Sequence, residues 1–102
     1  MRVLTVRLEI KAEALQEFTT ARDKVLAALK EKQPKGIRYT WCTGAEKTSF
    51  VGLVEITDGV ENPLPGLEAG KEFLANVQRW VVAPPVREEL TVIGTYSSSA
   101  KG

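Results

Sequence analysis

Leu4, Val6, Leu8 and Ile10 alternate with Val3, Thr5, Arg7 and Glu9 near the start of the chain. A period of two predicts a strand with one apolar face over residues 3–10. From Ala12 to Lys32 the period changes: Leu15, Phe18, Ala21, Val25, Leu26 and Leu29 recur at threes and fours, the stripe of an amphipathic helix, which Pro34 and Gly36 stop. "GIRYTWCT" alternates again, "GAEKTS" is a short polar turn, and "FVGLVEIT" is an apolar run, so residues 36–57 predict a β-hairpin. "DGVENPLPG" packs prolines, glycines and an asparagine together and reads as a loop. From Leu67 to about Val82 the set Leu67, Phe73, Leu74, Val77, Trp80 and Val81 returns to helical spacing, terminated by Pro84-Pro85, and a last strand is expected from about Leu90 to Tyr96.

The order β-α-β-β-α-β predicts an α+β, ferredoxin-like sandwich: an antiparallel four-stranded sheet with two helices on one face. A single domain is expected over residues 1–96, with 97–102 as a flexible polar tail. Two helices cover one face of such a sheet. The other carries Val3, Val51, Leu53 and Ile93 and is too apolar to leave in water, so a second copy is expected to cover it.

Composition narrows the chemistry more than it directs it. Lys and Arg number 14 against 13 Asp and Glu, interspersed, so no concentrated basic face suggests nucleic acid. No apolar run reaches the roughly 18 residues that span a bilayer, and "MRVLTVRLEI" is too polar for a signal segment. With its lone Cys42 the chain reads as a cytoplasmic protein. Histidine is absent, which removes Ser-His-Asp and Cys-His catalysis and His-ligated metals. No metal site and no cofactor are expected. Glycine-rich phosphate loops, CxxC pairs and GxSxG elbows are also missing.

The strand "VLTVRLEI", the helix end running into "PKGIRYTW" with Gly36 opening the second strand, and the hairpin "SFVGLVEITDG" with Glu55 late in the third resemble the antibiotic biosynthesis monooxygenase-like members of the dimeric α/β-barrel superfamily. The resemblance spans nearly the whole chain. It implies a homodimer and a family that includes cofactor-free oxygenases, haem-degrading enzymes, isomerases and proteins without known activity. Two departures stand out: Ile56-Thr57 lie where an aromatic often follows the acidic residue, and the helix that often carries a histidine has none. Asn76 and Trp80, one helical turn apart, superficially resemble the Asn and Trp that haem degradation of the family type uses, but there is no histidine for the iron and that reading is rejected.

Cofactor-free oxygenation needs a pocket that holds a phenolic ring, stabilises its anion and lets it meet oxygen. Arg7 and Asn76 are candidates for the catalytic roles, with Tyr39, Trp41, Trp80 and Tyr96 for substrate binding. Each has an alternative: core packing for Trp41 and Trp80, edge packing for Tyr39 and Tyr96, an ion pair with Glu9 or Glu55 for Arg7, solvent for Asn76. Parity puts Tyr39 and Trp41 on the helix-facing side, so Trp41 and Trp80 are expected on the walls of one cavity. The competing functions are an oxygenase acting on an aromatic metabolite, a non-catalytic small-molecule-binding or accessory dimer, and an RNA-binding module. The last ranks far behind, because its basic and aromatic strand signature is missing.

Overall fold

The structure, a computed structural model, describes residues 1–98. It is a four-stranded antiparallel sheet in the order β2-β3-β1-β4 with two helices. The strands are β1 (Arg2–Glu9), β2 (Ile37–Thr43), β3 (Ser49–Ile56) and β4 (Val86–Thr91), and the helices are α1 (Leu15–Lys32) and α2 (Glu68–Trp80). This is the ferredoxin-like α+β arrangement that the strand-helix rhythm predicts. Short 3-10 turns at Ala12–Ala14 and Leu64–Gly66 lead into the helices.

The two periodicities meet in one core. Leu8 and Ile10 of the first strand segment and Phe50, Val54 and Ile56 of β3 are buried, as are Phe18 and Val25 of α1 and Phe73, Val77 and Trp80 of α2. β3 alternates most cleanly because it is flanked on both edges, by β2 and β1, and backed by the helices. α1 ends at Gln33, whose left-handed backbone (φ 49°) returns its N–H to the Leu29 carbonyl at 2.8 Å.

Two boundaries differ from the sequence reading. α2 stops at Trp80 rather than Val82, because Val81 turns extended and bridges Ile10; Lys11 N–H then bonds the Trp80 carbonyl at 2.7 Å and Val82 N–H the Glu9 carbonyl at 2.8 Å. The last strand starts at Val86, directly after the prolines, and ends at Thr91, not at Tyr96. β4 pairs only with β1, from Arg7↔Val86 to Arg2↔Thr91, and past the ladder Val92 N–H still reaches the Met1 carbonyl at 3.3 Å. Residues 92–98 follow without regular secondary structure. The tail expected over 97–102 lies, for its last four residues, outside the described residues. No helix among the described residues is long and apolar enough to cross a membrane.

The sheet face away from the helices is bare. Val3, Val51 and Leu53 are only half-buried on it, and Val86 and Leu90 of β4 are exposed. Ile93 (98% accessible), expected on this face, and Tyr96 (90%) instead lie exposed in the irregular segment beyond the last strand.

Candidate functional site

Residues opposite one another in a sheet share a face, so the pairings Tyr39↔Val54 and Trp41↔Gly52 place both aromatics on the helix side. Trp41 lies over Gly52: a Cβ built at residue 52 would meet the indole ring at 2.8 Å. The ring is held edge-on by Phe18 (centroids 5.5 Å apart, 85°) and meets Phe73 in a tilted contact at 5.8 Å (44°). Its N–H donates to the Tyr39 hydroxyl at 2.7 Å. Trp80, 2% accessible, completes the aromatic cluster from α2, 5.4 Å from Phe73 and 6.2 Å from Phe18.

Gly52→Ala tests this packing. The extra methyl drives the indole off its seat, costing about 1–3 kcal/mol, against about 0.5–1 kcal/mol regained by removing glycine from a strand interior. Net destabilisation and a changed tryptophan fluorescence spectrum are the expected outcome in urea titrations.

Beside the cluster, between sheet and helices, lies a cavity of about 380 Å³. Leu4, Val6, Tyr39 and Val54 form its sheet wall, with Val25 of α1 and Phe73 and Leu74 of α2 opposite. It opens toward β4. That strand presents Arg87 and Glu89 on the helix side, where they pair with Val6 and Leu4, so no apolar layer closes the gap. Gly70 sets the height of the loop wall: a Cβ there would stand 2.1 Å from the Leu64 carbonyl oxygen.

The walls are apolar, and a few polar groups reach them. Asn62 spends its Oδ1 on the Leu64 N–H at 3.0 Å, in an Asx turn, which leaves its amide N–H groups for the cavity. Arg87 borders the opening with no ion-pair partner among the described residues, while Glu89 faces Arg2 at 3.7 Å. Burial holds the Tyr39 hydroxyl above its usual pKa, outweighing the Trp41 hydrogen bond and the charge of Arg22. A phenol held protonated in this way is a donor over the whole neutral range.

The structure separates the residues picked from sequence. Tyr39 lines the cavity. Trp41 and Trp80 face the right side of the sheet, but neither lines that cavity, so the expected pair of tryptophan walls is not formed; parity fixes a face, not a depth. Trp80 instead borders a separate groove of about 270 Å³ between α1 and α2, with Asn76 and Glu17. Asn76 has its amide committed there, donating to the Glu72 carbonyl at 2.8 Å and accepting from Arg79 at 2.8 Å. The Trp80 indole and the Arg79 guanidinium, 2.7 Å from Glu17, hold the Glu17 carboxyl below its usual range. The Trp80 N–H itself is buried without a well-formed hydrogen bond.

Arg7 points from the bare face, away from the cavity, and neither expected ion pair forms: Glu9 takes the Ser49 hydroxyl and Glu55 the Arg38 guanidinium. Tyr96 stands in solvent beyond β4. The groups the sequence reading missed are Asn62 and Arg87. An Asn-Pro pair just before a helix and an arginine on the helix-facing parity of the last strand were the available signals.

In sequence the chain matches no protein-family profile and no curated protein. In fold it groups with solved antibiotic biosynthesis monooxygenase structures. One such monooxygenase is 13% identical, with 92% of this chain and 100% of that one covered, at a TM-score of 0.75. SnoaB, a cofactor-independent oxygenase from Streptomyces nogalater, is 15% identical over 95% of this chain and 97% of its own, at 0.70. A protein of unknown function from Nitrosomonas europaea is similar at 15% identity, 97% and 95% coverage and 0.67. At these identities the likeness is one of fold.

Proposed function

We propose that the chain is a small cytoplasmic enzyme of the cofactor-independent monooxygenase type, working as a homodimer on an aromatic metabolite held in the cavity between sheet and helices. The observation that carries this reading is the cavity itself: ring-sized, apolar-walled and served by the Tyr39, Asn62 and Arg87 donors. Phe73 and Leu74 supply surface for a flat ring. Tyr39 and Asn62 donate to ring oxygens, and Arg87 favours the deprotonated ring that must react with dioxygen. In this assignment Arg87 and Asn62 take the tasks that the sequence suggested for Arg7 and Asn76. Glu89, on the helix-facing side of the rim, is the carboxylate available to accept the ring proton. The fold shared with a cofactor-independent oxygenase supports the choice of reaction.

A binding or accessory dimer without chemistry is the second reading. It is favoured by one observation: the chain has no histidine, and the only carboxylates at the cavity lie on its rim.

A thermal-shift screen of phenols, quinols and polyketide-like aromatics tests the pocket. A true ligand at 100 times its Kd stabilises by about 2.7 kcal/mol, and each kcal/mol raises Tm by roughly 4–8 °C in a domain this size. Oxygen uptake with the hits separates the readings: consumption supports the oxygenase, and stabilisation without consumption supports the binding dimer. A screen in which no aromatic shifts Tm would remove both.

A further inference from the structure

The hydrogen bond between Trp41 and Tyr39 has a direction. An indole nitrogen carries a proton and offers no lone pair, so it can only donate. At 2.7 Å it fills the acceptor position of the Tyr39 oxygen. The phenol is left with its own proton to give, and no acceptor takes that proton among the described residues. Tyr39 borders the cavity, and also a second groove beside Leu29 and Ile37, while Trp41 borders neither, so the proton is left for an occupant on the Tyr39 side. Trp41 is also fixed in place, seated on Gly52 and flanked by Phe18 and Phe73. It cannot easily swing away to free the oxygen.

We infer that Trp41 is a positioning residue that makes Tyr39 a one-way hydrogen-bond donor, so that the cavity selects occupants presenting an oxygen acceptor over those presenting an N–H or O–H at the same point. This inference rests on the cavity being a binding site, as proposed above. It gives Trp41 a part in ligand choice without contact with the ligand. Burial, which keeps the Tyr39 hydroxyl protonated, acts in the same direction.

Three bicyclic probes of nearly equal size separate the cases: indane, with no polar group; indanone, with an acceptor only; and indole, with a donor only. Titration calorimetry on the full chain should rank indanone about three- to tenfold tighter than indane, the return of one neutral hydrogen bond, with indole no better than indane. Tyr39→Phe should erase the indanone preference. Trp41→Phe keeps a ring on Gly52 but frees the Tyr39 oxygen to accept, so indole should gain on indanone by at least about twofold. Should Trp41→Phe fail to fold, the wild-type ranking and Tyr39→Phe still decide.

Indole binding as well as indanone to the wild type, or an unchanged ratio in a folded Trp41→Phe, would overturn the inference. Equal binding of all three probes would overturn the donor assignment alone and leave the cavity reading standing. Failure of all three to bind folded protein would overturn the cavity reading, and this inference with it.

Discussion

Phe18→Ala should lower the stability of the fold by about 3–5 kcal/mol, the cost of deleting a fully packed ring and leaving its cavity behind. Phe18 is 0% accessible and is the one residue whose ring meets all four other members of the aromatic core: Phe50 at 4.7 Å, Trp41 at 5.5 Å, Phe73 at 6.0 Å and Trp80 at 6.2 Å. The Arg22 guanidinium lies 5.7 Å from its centroid, adding a cation-π contact from the same helix. Since Val25 is the one other buried side chain of α1, the neighbouring rings cannot collapse into the gap without moving the helix off the sheet. A domain of this size has about 5–15 kcal/mol in total, so the variant should lose from a fifth to all of its margin. Urea denaturation measures this directly. Phe18→Leu, which keeps most of the volume, should lose distinctly less. A midpoint for Phe18→Ala close to that of the wild type would mean that the aromatic cluster is not the core.

The rhythm of apolar positions made most of this architecture legible, because period two and period 3.6 are local consequences of backbone geometry. β3 shows it best: Phe50, Gly52, Val54 and Ile56 all face inward, as alternation requires. β4 was misplaced for an equally physical reason. Its sequence VREELT lies at the sheet edge with every residue exposed, so burial imposed no apolar alternation, and the more apolar stretch around Ile93 drew the expected strand too far along the chain. The site was legible only in part. Tyr39 was identified by parity, but a cavity is a gap between elements, and its position depends on how the helices sit above the sheet. Arg7 and Asn76, picked by residue type, sit on the bare sheet face and in the interhelical groove, while the cavity's Arg87 and Asn62 arrive from an edge strand and a loop. Those two positions follow from tertiary packing, which no local pattern encodes.

Leu53→Asp should turn a dimer into a monomer. Leu53 belongs to β3, an interior strand, and its register partners Thr5 and Thr40 place it in the middle of the face that no helix covers. Val51 lies two residues along on the same face, and Val3 sits on the neighbouring strand β1, so its surroundings are an apolar patch rather than an isolated exposed leucine. Closed face to face with a second copy, such a patch should bury on the order of 2,000 Å² in total. A carboxylate introduced there costs little in a monomer, where water still reaches it. In the dimer it is buried without a partner, and an uncompensated buried charge costs about 3–5 kcal/mol, which weakens association by roughly two to three and a half orders of magnitude. Sedimentation at micromolar concentration should therefore show a wild-type dimer and a Leu53→Asp monomer that keeps its circular dichroism if the single copy folds alone, or unfolds if it does not. Substituting Asp23, on the exposed surface of α1, gives the control that should leave the dimer intact. A wild-type chain sedimenting as a monomer would sink the dimer, and the bare face, with Ile93 and Tyr96 beyond it, would then require an occupant other than a second copy of itself.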